Sequence, residues 1–359
     1  MKPPLIGPDI RAADTLPGSF YGDPAAYSAQ VEHVLARSFH VVADAAEIAA
    51  RGSVLPVTLL PGSLDEPLVL TRDEGGTLRA LSNVCTHRAN LLAHEGGPAK
   101  SLVCRYHGRR FGLDGVCRHM PRFEEALDFP SIRDNLPEVA LGTLGPLIFA
   151  GLAPPASFAD MWQPFQTRLG ALPWDALVAD PAASRDYVVR AHWALYCDNY
   201  LEGFHIPFVH PALARAVELT SYRTELLPWG TLQLAAAAPG EPAFEEGNER
   251  IAAYYAWLYP TTMLNFYPWG LSVNLVRPAG PERTVVSFRS YVADASQRGR
   301  GAGGDLHAVE LEDEAIVEAV QRGVRSRLYD RGRYSPSEER GVFHFHRLLD
   351  AAFAAHAAG

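Results

Sequence analysis

Cys85-Thr86-His87 and, after sixteen intervening residues, Cys104-Arg105-Tyr106-His107 are the stretches whose reading decides the first half of the fold. Each sets one thiol beside one imidazole, and each follows or closes an apolar run that reads as a strand, at 78–83 and 101–105. Two loops that each offer a thiolate and an imidazole can grip a pair of metals from opposite sides. A structural zinc site accepts the same ligand types. A zinc finger, however, groups cysteine with cysteine and histidine with histidine, which this order does not.

Working outward, residues 39–150 are short apolar runs punctuated by glycine. Strands are expected at 56–60, 68–71, 78–83 and 101–105, with turns at Pro61-Gly62-Ser63 and Glu74-Gly75-Gly76. Ahead of them, 1–38 is a proline-rich arm with a helix over 24–38, where Tyr27, Val31, Val34 and Leu35 recur at helical spacing. Beyond them, 151–359 carries a strand at 187–193 and a helix at 195–204. Strands follow at 221–225, 231–235, 252–259, 262–267, 271–276 and 284–292, then helices at 305–324 and 343–355. Antiparallel strands bracketed by helices make the second domain, and the chain as a whole, α+β.

Composition narrows the function. The chain has 359 residues, 48% hydrophobic and 20% charged, enough for two cores. Its 32 basic against 41 acidic side chains give a formal charge of −9, which argues against nucleic acid and suits either solubility or a basic redox partner. The first residues lack the apolar run of a secretory signal, and no stretch approaches the ~18 apolar residues that span a bilayer. A cytoplasmic protein with no membrane partner is expected. Four cysteines, at 85, 104, 117 and 197, are too few for a disulfide framework. Cys117 and Cys197 read as buried thiols, His94 and His119 as exposed loop histidines.

The run Asp198-Asn199-Tyr200-Leu201-Glu202-Gly203-Phe204-His205-Ile206-Pro207-Phe208-Val209-His210 is the densest set of potential ligands. On a helix Asp198, Glu202 and His205 would share one face. Pro207 cannot sustain the helix, so the chain should bend there and bring His210 toward His205. Two imidazoles and one carboxylate hold ferrous iron and leave positions open for oxygen. The carboxylate must come from elsewhere in the chain.

Taken together, these motifs resemble the large (alpha) subunits of Rieske non-haem iron oxygenases, over about 39–349. The carriers are CxH, the sixteen-residue gap, CxxH, Gly108 and the turn Asp114-Gly115, followed by the Glu202–His205–His210 set. In a Rieske centre two cysteines bind one iron and two histidines the other, so the resemblance implies a [2Fe-2S] cluster on Cys85, Cys104, His87 and His107. It implies a mononuclear Fe(II) on His205, His210 and Asp313, with Glu312 the competing carboxylate, and Glu202 as the bridge between metal centres. It also implies a small all-β cluster domain and a helix-grip catalytic domain, a curved antiparallel sheet around a long helix. Electrons would come from NAD(P)H through a flavin/iron-sulfur reductase, directly or via a ferredoxin, and the subunits would form a homotrimer. Many members have Trp after the cluster glycine. Here Arg109 stands there, a cation in place of the aromatic edge at a donor-docking position.

The activity so implied is hydroxylation or demethylation of a small organic substrate with O2. Glu at 202 and the Tyr-Leu-acid pattern before His205 are most similar to members acting on quaternary ammonium compounds, such as choline monooxygenases. Aromatic-ring hydroxylation or O-demethylation is the alternative, and a non-enzymatic Rieske electron carrier the reading from another class. Tyr255, Trp257 and Tyr259 alternate along one expected strand and Phe266, Tyr267 and Trp269 follow on the next; among these aromatics Trp257, Tyr259 and Phe266 are the expected wall of the substrate site.

Overall fold

The computed structural model describes residues 5–357, which fall into two compact units: Ala36–Ala159, and the described residues up to Leu35 together with those from Asp160 onward. The first four residues of the proline-rich arm lie outside the described residues. The rest of that arm up to Leu35 is part of the second unit, and a buried amide shows why. Gln30 accepts from Trp193 Nε1 at 2.9 Å and donates to the Phe20 carbonyl at 3.0 Å, and a buried amide satisfied at both ends ties the segments it joins. The expected helix over 24–38 stops sooner, at Pro24–His33, followed by a single tighter turn, Leu35–Arg37.

In the unit Ala36–Ala159, seven strands form an antiparallel sheet in the order His40–Asp44, Leu147–Gly151, Glu138–Leu144, Leu78–Ser82, Glu66–Arg72, Ser53–Leu59 and Gly97–Pro98. Alternation along the strand builds two cores at once. Leu68 and Leu70 pack with Ile48, Leu59 and Ile148 on one face. Val69 points the other way and joins Leu81, Leu92, Leu102, Phe111 and Leu113 beneath Cys85 and Cys104. Each such fully buried aliphatic contributes about 1.5–3 kcal/mol, so the cysteine loops rest on a rigid floor. A three-stranded sheet, Leu102–Val103, Arg110–Phe111 and Cys117–His119, carries the second loop. The strand expected at 101–105 is cut to two residues because Cys104 already enters the loop, its N–H donating to the Arg109 carbonyl at 2.8 Å.

The other unit is an eight-stranded antiparallel sheet. Its path runs Val178–Val189, Thr284–Val292, Gly270–Pro278, Thr262–Tyr267, Glu249–Leu258, Gly230–Ala237 and Val217–Leu227, with Phe244–Glu246 beside Glu249–Leu258. Tyr255, Asn265 and Ser272 are direct cross-strand partners, so they share one face. The helices Trp193–Tyr200, Leu306–Gly323 and Arg340–Ala357 pack together with this sheet. Trp193, Trp257 and Phe345, all fully buried, join two of the helices to it, with Phe345 at 5.8 Å from Trp193 and 5.1 Å from Trp257. The helix expected over 195–204 ends instead at Tyr200, and a separate short turn, Ile206–Val209, holds Pro207. Gly203 lies between them against Tyr222, whose ring would be 2.7 Å from any added Cβ.

Candidate metal centres

The two cysteine loops close with the same hydrogen bonds. Cys85 N–H donates to the Asn90 carbonyl and Ala89 N–H to the Cys85 carbonyl, at 2.9 and 3.0 Å; Cys104 N–H donates to Arg109 and Gly108 N–H to Cys104, at 2.8 and 2.9 Å. The fourth residue after each cysteine has positive φ, 54° at Ala89 and 78° at Gly108. Two loops of one backbone form thus present their cysteines alike, with the histidine two residues on in the first and three residues on in the second.

Both cysteines are buried and neither is paired in a disulfide. Burial resists ionisation of each. At Cys104 the backbone N–H groups of Tyr106 and His107, the neighbouring Cys85 thiol and the Asn90 amide outweigh it and hold the thiol below its usual range, while Cys85 is held above its own. The His87 and His107 rings lie 4.9 Å apart. Burial, followed by the positive charges of His107, Arg109 and Arg88, pushes His87 toward the neutral imidazole that a metal requires. His107 Nδ1 is buried with no hydrogen-bond partner. A buried nitrogen so stranded costs about 1–3 kcal/mol, and it is the atom a cluster iron would take up. The donor set fits a [2Fe-2S] group.

Arg109 does not present a cation at the surface. It is 2% exposed, donates to Thr86 Oγ1 at 2.8 Å and to Asp134 Oδ1 at 2.9 Å, and lies over Phe129 at 5.2 Å. It therefore ties the first loop, through Thr86, to the segment that follows the second. His94 and His119 are exposed, and Cys117 and Cys197 are buried.

At the second site His205, His210 and Asp313 offer ligand atoms that all lie within 4.8 Å of one another. The helix Leu306–Gly323 brings Asp313 to two histidines on the turn after Trp193–Tyr200. Each histidine is oriented by a carboxylate behind it. Glu202 Oε1 lies 2.6 Å from His205 Nδ1 and Glu312 Oε2 lies 2.7 Å from His210 Nδ1. A carboxylate oxygen accepts, so each Nδ1 donates to the acid behind it and each Nε2 is left to point the other way. Those Nε2 atoms face Asp313 Oδ1, at 3.6 Å from His205 and 3.0 Å from His210. Asp313 is held in turn by Asn199 Nδ2 at 2.6 Å. Burial opposes charging of His210, but Asp313 and Glu312 outweigh it and raise its pKa; a cation amid these carboxylates would replace that proton. Carboxylates that fix imidazole orientation in this way recur at metal sites, so the set fits a mononuclear divalent iron.

Glu312, weighed as a ligand on sequence, instead grips the far nitrogen of His210. Asp198 does not join the face of Glu202 and His205. With the helix ended at Tyr200 it turns away, accepting from Tyr21 Oη and pairing with His346 Nε2, each at 2.8 Å. Asn199 was within the quoted run, yet only contact with a residue 114 positions away reveals its task.

Beside the three ligand candidates is a cavity of about 100 Å³, walled by Tyr200, Tyr222, Tyr255, Tyr267, Phe288 and Glu310 among others. The tyrosine hydroxyls are anchored: Tyr200 donates to Asn265 Oδ1 at 2.7 Å and Tyr222 to Gln233 Oε1 at 3.2 Å. Burial pushes the pKa of all four tyrosines up, so the wall is neutral and aromatic. Trp257, Tyr259 and Phe266 do not line it. Trp257 shares the face of Tyr255, but Phe345 covers it, and its Nε1 donates to the Pro260 carbonyl at 3.2 Å. Tyr259 packs on Trp257 at 5.8 Å. Phe266 pairs with Tyr254 on the opposite face and meets Trp174 at 4.9 Å. The aromatic wall exists, shifted to neighbours that only the register and the helix positions pick out.

Both halves of the chain match known families. Residues 38–135 match the Rieske [2Fe-2S] domain, and residues 178–355 match the ring hydroxylating alpha subunit catalytic domain. The choline monooxygenase of Arabidopsis thaliana, a chloroplast protein, is 31% identical over 95% of this chain and 83% of its own length. The carnitine monooxygenase oxygenase subunit of Escherichia coli K12 is 31% identical over 98% and 99%. The crystal structure of the quaternary ammonium Rieske monooxygenase CntA with its substrate L-carnitine superposes with a TM-score of 0.75 at 25% identity, covering 95% of this chain and 96% of that one. No helix among the described residues is long and apolar enough to cross a membrane.

Proposed function

The chain belongs to the Rieske non-haem iron oxygenases, as an alpha subunit with a Rieske [2Fe-2S] domain and a non-haem iron catalytic domain, and from that premise we propose that it oxidises a small quaternary ammonium compound. It is an oxidoreductase, which sets aside the electron-carrier reading. The iron, when bound, supplies the binding and reduction of O2; the protein positions the substrate and the protons around it.

In this reading Cys85 and Cys104 would hold one cluster iron and His87 and His107 the other. His205, His210 and Asp313 would hold the mononuclear iron. Glu202, already on His205 Nδ1, would be the carboxylate that links the two metal centres, in a head-to-tail trimer where the cluster of one chain would serve the iron of the next. A flavin/iron-sulfur reductase, with or without a ferredoxin, delivers electrons from NAD(P)H.

The observation that carries the substrate class is the neutral four-tyrosine wall beside the iron ligands. A quaternary nitrogen has no N–H to donate, so aromatic faces are its natural contact, each worth about 0.5–2 kcal/mol. The test is oxygen uptake by the reconstituted protein with a generic reductase. Trimethylammonium compounds should stimulate it, and Tyr255→Ala should lower kcat/KM for them by about twofold to thirtyfold, in line with that range. Trp257→Ala, away from the cavity, should act only through stability. Uptake driven solely by neutral aromatics would assign the protein to ring hydroxylation or O-demethylation instead.

A further inference from the structure

Glu310 is the buried carboxyl that the roles above leave unused. It sits on Leu306–Gly323 three residues before Asp313, is 2% exposed, and lines the same cavity as the four tyrosines. Oε2 accepts from Tyr196 Oη at 2.6 Å, and Oε1 is buried with no partner. The other carboxylates that border the cavity are engaged: Glu202 with His205, and Asp313 with His210 and Asn199. Burial pushes the Glu310 pKa well up despite the Tyr196 hydrogen bond, with Asp313 and Glu314 adding to the rise. Among the described residues no basic side chain pairs with it. A carboxylate buried without a cation is costly, and a cation brought into the cavity would remove that cost.

The chemistry of the wall says which cation. Ammonium groups with N–H bonds need several acceptors, whereas a quaternary nitrogen offers diffuse charge and methyl surface, which aromatic faces and one anionic oxygen satisfy together. Ferrous iron held by a single carboxylate would also repel a cationic substrate, and a negative oxygen inside the cavity offsets that repulsion. We infer that Glu310 is the counter-ion of the substrate's quaternary nitrogen and sets the preference of the site for a cationic over a neutral ligand of the same shape. This rests on the quaternary ammonium reading and extends it to a specificity-determining residue. Tyr196 positions the carboxylate by its hydrogen bond.

The experiment is equilibrium binding by calorimetry to the iron-loaded protein. The probes are choline, L-carnitine and, for each, the isostere with a tert-butyl group in place of trimethylammonium. Native protein should bind at least one cation about tenfold or more tightly than its neutral isostere. Glu310→Gln, nearly isosteric and with cluster spectrum and iron content unchanged, should lose that tenfold for the cation and leave the isostere within about twofold, while Glu310→Asp should recover part of the preference. Equal weakening of both ligands, or no change in either, would overturn the counter-ion role while leaving the substrate class standing. If native protein binds neither cation, or prefers the neutral isosteres, both the substrate class and the counter-ion role fall.

Discussion

In the unit Ala36–Ala159 all four candidate cluster ligands come from residues 85–107, on two loops closed by the same pair of backbone hydrogen bonds. In the other unit the candidate iron ligands span residues 205–313 and meet because Leu306–Gly323 packs against Trp193–Tyr200. The cluster loops owe their shape to local backbone: a positive-φ residue, two N–H donors and an apolar floor. The iron site owes its shape to side chains that aim other side chains, with Glu202 and Glu312 orienting the two imidazoles and Asn199 holding Asp313. A site of the first kind tolerates change at a distance. One of the second kind depends on residues that never touch the metal.

That contrast can be broken most sharply by emptying one site and watching the other. Cys85→Ser should abolish the visible absorbance of the cluster and its labile sulfide, whereas His205→Ala should leave both intact and remove only the mononuclear iron, as counted by metal analysis. Bleaching of the cluster by His205→Ala would show that the sites are not independently built.

A smaller effect separates the two adjacent acids. Asp313→Ala should empty the iron site and end oxygen uptake. Glu312→Ala should retain the iron site with affinity or turnover reduced about 10- to 100-fold, the usual cost of losing a hydrogen-bond partner of a ligating histidine. Should the two variants behave in the reverse order, Glu312 is the ligand and Asp313 its support.

The smallest change in composition tests the link between the centres. Glu202→Gln keeps a carbonyl oxygen near His205, so cluster spectrum and iron content should stay as in native protein, with reoxidation of the reduced cluster slowed at least tenfold in a single turnover with substrate and oxygen. Native-like reoxidation would return Glu202 to the orientation of His205 alone.

How much of this was legible in the residues follows the same division. Spacing alone marked Cys85, His87, Cys104 and His107, because short loops place neighbours in sequence as neighbours in space. Strand alternation marked the two-faced sheets, since side-chain direction repeats every second residue whatever the partner strand. Arg109 shows the limit: its charge read as a surface feature, but Thr86, Asp134 and two phenylalanine rings enclose it.

The sequence by itself determined the candidate cluster ligands, the His205–His210 pair, the α+β architecture and an aromatic-rich strand region, because ligand type, local spacing and periodicity are properties of short segments; the class of each metal site came with the family resemblance those motifs carry. Only the tertiary structure decided that Tyr255 and Tyr267, not Trp257 and Phe266, face the cavity, that Glu312 supports His210 while Asp313 faces both imidazoles, and that Glu310 lies buried among the tyrosines. Those outcomes depend on cross-strand register and on where one helix comes to rest against another. A shift of one residue turns a side chain from one face of a strand to the other, or by about 100° around a helix, and no short stretch of sequence carries that information.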